Sequence, residues 1–319
     1  MEPGASNHFS HMRKLLFLSL MAILAISCSD VRTAQCGRHG MIDEEGWFSV
    51  QDITPEGSVG NVWLISEYGA ATCYLVTGSK YAMLIDTGIG VGNLSGLVSD
   101  LTDLPPIVVN THGHPDHGGA NYQFTEVWVP EKDKDVLESM NPLNTPDLEA
   151  YVASNAGDFK YDIEKAKANI EDIKSYPAND VIFFDEGQSW DLGDKVITTL
   201  ELGGHTPGSM MFLDEADDMV FSGDAMNGYL WMWLDHCLSV EEYEANLASV
   251  LPEISGFGHI LGGHETRPQG MEPAQAARML EDVRNVLAGK VTPVVTPKPM
   301  GGEGTVNVYY FDTWLLWAR

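Results

Sequence analysis

The sequence predicts an α/β layered domain. Short runs rich in β-branched and aromatic residues, bounded by Gly, Ser and Glu, alternate with charged or Ala-containing stretches of helical character. A third observation sets the scale: 319 residues with 44% hydrophobic side chains can bury one large core without covalent staples. No internal repeat or low-complexity linker divides the chain.

Residues 1–28 stand outside that domain. Arg13 and Lys14 precede an apolar run from Leu15 to Ile26, too short to span a bilayer comfortably but matched to the middle of a secretory signal peptide. Ala25-Ile26-Ser27-Cys28 resembles a bacterial lipobox, with Ala25 where Leu is usual. Export to the periplasm or cell surface is the expectation. Lipid on Cys28 would be the only membrane contact, with ordinary signal cleavage as the alternative. The residues before Met12 lack basic character, which makes Met12 an alternative start. Residues 29–46, polar and small, read as a tether, with folding from Trp47 through residue 319.

Val62-Trp63-Leu64-Ile65, Thr72-Cys73-Tyr74-Leu75-Val76 and Ala82-Met83-Leu84-Ile85 read as successive strands of a hairpin-rich sheet. A helix over Asn93 to Leu101 and the strand Ile107-Val108-Val109 follow. From Glu131 to Asn179 the character changes. Stretches such as Asp162-Ile163-Glu164-Lys165-Ala166-Lys167 suit solvent-facing helices, and the segment reads as a helical insertion, a candidate lid or pocket wall. Strands return at Val181-Ile182-Phe183-Phe184, Val196-Ile197-Thr198-Thr199-Leu200, Met210-Met211-Phe212-Leu213 and Met219-Val220-Phe221. A helix from Glu241 to Val250, a strand near Ile260, a helix from Pro273 to Leu287 and an aromatic tail complete the chain.

The formal net charge of −28 repels phosphate backbones and excludes nucleic acid as a partner, leaving a small-molecule substrate. Cys36, Cys73 and Cys237 are scattered without Cys-x-x-Cys spacing. Buried free thiols are expected, although an oxidising compartment would allow a Cys73–Cys237 bridge.

The chemistry concentrates where the strand at Ile107 ends. Thr111-His112-Gly113-His114-Pro115-Asp116-His117 places four ligating side chains within six positions. On a strand end or extended loop, the two-residue spacing puts His112 and His114 on one side. Imidazole nitrogen and carboxylate oxygen are donors suited to Zn²⁺ and, less selectively, Fe or Mn. His39 lies in the tether, whereas His236 and His259 lack neighbouring ligands and read as structural.

This run resembles the HxHxDH signature of the metallo-β-lactamase superfamily, and further motifs follow in the family's order. Leu84-Ile85-Asp86-Thr87-Gly88 precedes it; Gly204-His205-Thr206-Pro207-Gly208-Ser209, Phe221-Ser222-Gly223-Asp224 and Gly262-Gly263-His264 come after. The resemblance spans Trp47 to His264. It implies an αβ/βα sandwich, two mixed sheets packed face to face with helices on the outer faces. It also implies that His112, His114 and His205 hold one divalent metal, that Asp116, His117 and His264 hold a second, and that Asp224 bridges them. Two close cations need a shared anion against their mutual repulsion, and a two-oxygen carboxylate provides it. A hydroxide between the metals would then attack the substrate, with Asp116 orienting it as the catalytic residue. Asp86 is expected to hydrogen-bond a ligand histidine, or to serve as a helix cap or plain turn. Tyr229 and Trp231 are candidates for substrate contact, but their two-residue alternation with Trp233 equally suits a strand with one buried face.

What the resemblance implies is a dinuclear hydrolase of an ester, thioester, lactone or amide bond. The alternatives are a true β-lactamase, whose bridging position is usually Cys or Ser, and a mononuclear-iron sulfur dioxygenase. A glutathione thioesterase fits an exported acidic chain less well, and the helical C-terminal domain of glyoxalase II is not evident.

Overall fold

The computed structural model describes residues 40–42, 47–67, 70–140, 164, 168, 179–265, 267–299 and 303–319. The signal-like run, Cys28, Cys36 and His39, together with most of the segment read as an insertion, lie outside the described residues. No helix among the described residues is long and apolar enough to cross a membrane.

Eight strands form the first sheet in chain order: β1 (Gly40–Ile42), β2 (Phe48–Asp52), β3 (Val62–Glu67), β4 (Ala71–Thr77), β5 (Ala82–Ile85), β6 (Pro106–Val109), β7 (Glu126–Pro130) and β8 (Asp180–Phe184). Pairing is antiparallel from β1 to β5 and parallel from β5 to β8. Three differences from the sequence expectation stand out. β1 falls inside the stretch read as tether, pairing Gly40 to Ile42 with Ser49 to Gln51, so ordered structure begins ahead of Trp47. β7 was not expected at all. And the residues just past Pro130 form a short 3₁₀ turn (Glu131–Asp133) and a helix (Lys134–Met140) packed on the domain.

The second sheet contains β9 (Ser189–Asp191), β10 (Val196–Glu201), β11 (Met210–Asp214), β12 (Met219–Gly223) and β14 (His259–Gly262), in spatial order β14-β12-β11-β10-β9. Only β12 and β14 pair in parallel. Strand alternation explains the layering. Leu64, Tyr74, Met83 and Ile85 of the first sheet meet Ile197, Met210, Phe212 and Phe221 of the second in one buried cluster. The alternate residues Ile65, Cys73, Leu75 and Leu84 face α1 (Leu94–Leu101), whose Asn93 cap accepts from the Gly96 N–H at 3.0 Å. On the far side, Met211, Leu213, Val220 and Ile260 pack on two long helices. These are Val240–Ile254, opened by a Ser239/Glu242 capping box, and Pro273–Leu287. The expected αβ/βα sandwich is therefore present.

The tail adds a third sheet, ordered β13 (Tyr229–Met232), β17 (Leu315–Ala318), β16 (Thr305–Tyr310) and β15 (Val294–Pro297). Leu230 and Met232 point into the helical core, whereas Tyr229 and Trp231 are half-buried on the other face. Cys73 and Cys237 are both free and buried.

Candidate metal centre

The residues singled out in the sequence converge at the ends of β5, β6, β10, β12 and β14. Hydrogen bonds tie the two sheets together here: Met210 N–H donates to Thr111 O at 2.8 Å, Thr72 N–H to Gly263 O at 2.8 Å, and the Tyr74 hydroxyl to Gly262 O at 2.7 Å. A sheet end fixed in this way holds ligands more rigidly than a free loop does.

Past β6 the chain leaves the extended state. Pro115 opens a one-turn helix (Pro115–Gly118), with His114 at its extended cap position. That turn carries Asp116 toward a second group while the His117 ring stays beside that of His112, centroids 4.2 Å apart. His112 Nε2 lies 3.1 Å from His114 Nδ1, which lies 2.8 Å from His205 Nε2. Asp116 Oδ2 instead faces His117 Nε2 at 3.7 Å and His264 Nε2 at 3.5 Å. The parallel β12–β14 pair, joined by Gly263 N–H to Gly223 O at 2.8 Å, sets Asp224 beside His264. Glycine is required at 263, because a Cβ there would stand 2.5 Å from both Asp224 Oδ1 and the His117 ring.

Asp224 differs from the expectation in one respect. Its Oδ1 accepts from Asn227 Nδ2 at 2.9 Å, so Oδ2 alone faces the cluster, at 3.2 Å from His264 Nε2, 3.5 Å from His205 Nε2 and 3.7 Å from His117 Nε2. One oxygen, held by an amide on the other, reaches both groups. Ligand atoms of His112, His114 and His205, of His112, His117 and Asp224, and of Asp116, His117 and His264 each lie within 4.8 Å of one another.

The electrostatics divide along the same line. Burial, reinforced by the neighbouring imidazoles, holds His112 and His114 well below the ordinary histidine range, in the neutral form that ligates. Burial also acts to lower His117 and His264, but carboxylates outweigh it and raise both: Asp116, Asp224 and Asp86 at His117, and chiefly Asp224 at His264. Burial pushes Asp224 up, yet His264 and His117 hold it well below the usual carboxylate range.

These residues fit divalent cations. His117 Nε2 is buried without a hydrogen-bond partner in a zone of converging carboxylates, and the donor set is imidazole and carboxylate throughout.

The layer behind the cluster is ordered. Asp86 accepts from Thr111 N–H at 2.7 Å and Thr111 Oγ1 at 2.8 Å, and its Oδ2 lies 2.8 Å from His117 Nδ1. Asp86 thus contacts the outer nitrogen of the His117 ring, the position from which a carboxylate orients a ligating histidine. Two residues escaped sequence reasoning. Buried Asp133, within the segment read as a lid, accepts from Gly113 N–H at 2.8 Å, Thr206 Oγ1 at 2.7 Å and Gly208 N–H at 2.6 Å. It thereby clamps the His112–His114 loop to the His205 loop. His236, read as structural, places Nε2 2.8 Å from His114 Nε2. Neither carries a local motif. Trp231 reaches the cluster through its backbone, whose carbonyl lies 2.7 Å from His205 Nδ1, while its ring packs against Trp233 and Trp317. Tyr229 is half-buried, and among the described residues no hydrogen bond or ring contact joins its ring to the cluster. His259 lies 3.1 Å from Gln269 O, away from the site.

Residues 67–296 match the profile described as "Metallo-beta-lactamase superfamily". Among curated proteins, the chain is 28% identical over 210 residues to a protein of Bos taurus named "Acyl-coenzyme A thioesterase MBLAC2", covering 60% of this chain and 68% of that protein. The Homo sapiens protein of that name is 27% identical over the same length and coverage. A Haemophilus influenzae protein named "Hydroxyacylglutathione hydrolase GloC" is 27% identical over 157 residues, 46% of this chain and 62% of that protein. A solved structure titled "Metallo-beta-lactamase from Pontibacter korlensis" aligns with a TM-score of 0.46 at 15% identity, covering 79% of this chain and 98% of that one.

Proposed function

The chain belongs to the metallo-beta-lactamase superfamily and is a metal-dependent hydrolase, and we propose that it cleaves thioesters at a dinuclear centre. The observation that carries this reading is the single Asp224 oxygen facing two ligand groups. In the proposal His112, His114 and His205 hold one ion, Asp116, His117 and His264 the other, and Asp224 is shared. Zn²⁺ suits this donor set best, with Fe or Mn as alternatives. Divalent ions there supply Lewis-acid polarisation of the scissile carbonyl and a water activated near neutral pH.

The chain's own residues set direction and proton traffic. The side chains of His117 and Asp224 are 0% and 8% exposed, against 23% for Asp116 and 29% for His264, so substrate arrives over the Asp116–His264 edge. Asp116 is the site carboxylate that arriving water can meet; it orients that water and accepts its proton. A thiolate, the conjugate base of a thiol with a pKa of roughly 8.5, leaves without protonation by a protein acid, whereas an amine needs one. The relatives whose names specify acyl-coenzyme A and hydroxyacylglutathione support the same bond class.

The test is a panel of acyl-CoA and acyl-glutathione thioesters, a lactone, a p-nitrophenyl ester, nitrocefin and bis(p-nitrophenyl) phosphate, run on metal-loaded protein. Thioesters should show the highest kcat/KM. Asp116→Asn should keep its metal while losing roughly 10²–10⁴-fold in kcat. Preference for nitrocefin or the phosphodiester, or one bound iron with oxygen consumption, would overturn the reading. We also propose export on the strength of Arg13, Lys14 and the Leu15–Ile26 run, with lipid on Cys28; fractionation of wild type and Cys28→Ala tests it.

A further inference from the structure

We propose that His236 is a positioning residue for the first metal site: it accepts the Nε2–H of His114 and so fixes the tautomer and ring plane of that ligand. The inference rests on the reading that His112, His114 and His205 hold a metal.

The two Nε2 atoms are 2.8 Å apart, with ring centroids 4.9 Å apart and planes inclined at 65°. Two nitrogens at that separation share one proton; none would oppose two lone pairs and two would clash. Which ring donates follows from the other side of His114. Its Nδ1 faces His112 Nε2 at 3.1 Å and His205 Nε2 at 2.8 Å, the position of a ligating nitrogen, which must be bare. The His114 proton therefore sits on Nε2, His236 Nε2 accepts it, and His236 carries its own proton on Nδ1.

His236 also completes a pattern. The outer nitrogen of His112 lies 3.0 Å from Thr111 Oγ1, that of His205 lies 2.7 Å from Trp231 O, and that of His117 lies 2.8 Å from Asp86 Oδ2. Without His236, the outer nitrogen of buried His114 would lose its counterpart to these contacts. The loop carrying His236 is pinned immediately past that residue, to the His205 loop and to the C-terminal Arg319. Cys237 Sγ contacts His205 O at 3.0 Å, Leu238 N–H donates to Gly204 O at 2.9 Å, and Arg319 Nη2 donates to Cys237 O at 3.0 Å.

The outer partners now differ in charge between the sites. A hydroxyl, an imidazole and a carbonyl support the first triad, whereas a carboxylate supports His117 beside two acidic ligands. A carboxylate partner raises ligand basicity; a neutral acceptor orients the ring with less of that effect. Loss of His236 should therefore weaken one metal equivalent and spare the other.

The experiment titrates metal-free wild type, His236→Ala, His236→Gln and His205→Ala with Zn²⁺ against a chromophoric chelator, and records Co²⁺ visible spectra. His236→Ala should lose roughly 10–100-fold in affinity for one equivalent only, with altered Co²⁺ bands for that equivalent. The Gln variant, whose amide oxygen accepts, should recover most of the loss. The proposal is overturned if both His236 variants bind two equivalents with wild-type affinity and spectra while His205→Ala loses one. If His205→Ala also keeps both equivalents, the metal-site reading fails and the proposal with it. Should the Ala variant not fold, His236→Leu, which keeps bulk but removes the acceptor, takes its place: weaker binding of one equivalent supports the proposal, and wild-type binding of both overturns it.

Discussion

Asp86 shows how much one side chain can organise. It is a non-glycine residue in the left-handed region (φ 64°), a conformation that Asp and Asn tolerate better than most, and its carboxylate joins Thr111 to His117. Asp86→Asn should keep the backbone while removing the charged acceptor of His117. Metal affinity of the second equivalent should then fall roughly 10–100-fold, with little change in the first, in a chelator-competition titration. Asp133 is the counterpart on the other side. Burial raises its pKa even though Thr206, Gly113 and Gly208 all donate to it. Asp133→Asn sets an amide among donors, and loss of a charged hydrogen bond of about 1.5–3 kcal/mol should appear as a lower melting temperature of the metal-free protein. The contrast in legibility is physical. Asp86 sits in a short motif next to the strand it terminates. Asp133 meets Gly113 across 20 residues and Thr206 and Gly208 across 73 and 75, and His236 meets His114 across 122, a proximity that only the packed sheets create.

At the scale of elements, the long patterned segments were readable: α1, the helix Pro273–Leu287 and the strands leading into the cluster lie where periodicity and punctuation put them. Edges and short pieces were not. β7 is only five residues long, and β1 is a three-residue Gly-Met-Ile piece inside an otherwise polar stretch; each becomes a strand because a neighbour supplies its ladder. Tyr229 to Met232 alternated as expected, but the alternation acquired a meaning only when β17 paired with it. The loop after Asp86 depends on Glu67, at the end of β3, whose two oxygens accept the N–H groups of Ile89, Gly90, Val91 and Gly92 at 2.8–3.1 Å. Burial pushes that carboxyl up to about 7 against the pull of the four donors. The folded state therefore holds this proton from the ordinary carboxylate value up to about 7. The associated stability is fully present below 4.5 and is lost as pH rises through about 7. At about 1.4 kcal/mol per pH unit the effect is on the order of 3 kcal/mol. In thermal melts at pH 4.5 to 8, wild type minus Glu67→Gln should show this slope, and a flat difference would contradict it.

For the whole molecule, both sheets bring strand ends to one edge, so ligands separated by up to 152 residues, from His112 to His264, form one centre. That convergence was legible only through the ordered motifs; spacing alone identified the His112–His117 run and left the partners open. The assembled centre has a property that no single ligand has. His112 and His114 are held neutral by burial and by each other, whereas His117 and His264 are raised by the surrounding carboxylates. A cation entering the first triad meets bare nitrogens on His112 and His114. One entering the second must displace protons, because a protonated imidazole does not ligate. Calorimetric titration of the metal-free protein at pH 7, in buffers of different ionisation enthalpy, should show buffer-dependent heat concentrated in the equivalent that Asp86→Asn weakens. Equal proton release from both equivalents would mean that the carboxylates do not partition between the sites as their distances indicate. Because bound metal stabilises only the folded state, stripping it with a chelator should lower the melting temperature, and further at pH 7 than at pH 5.5, where protons on His117 and His264 already weaken binding.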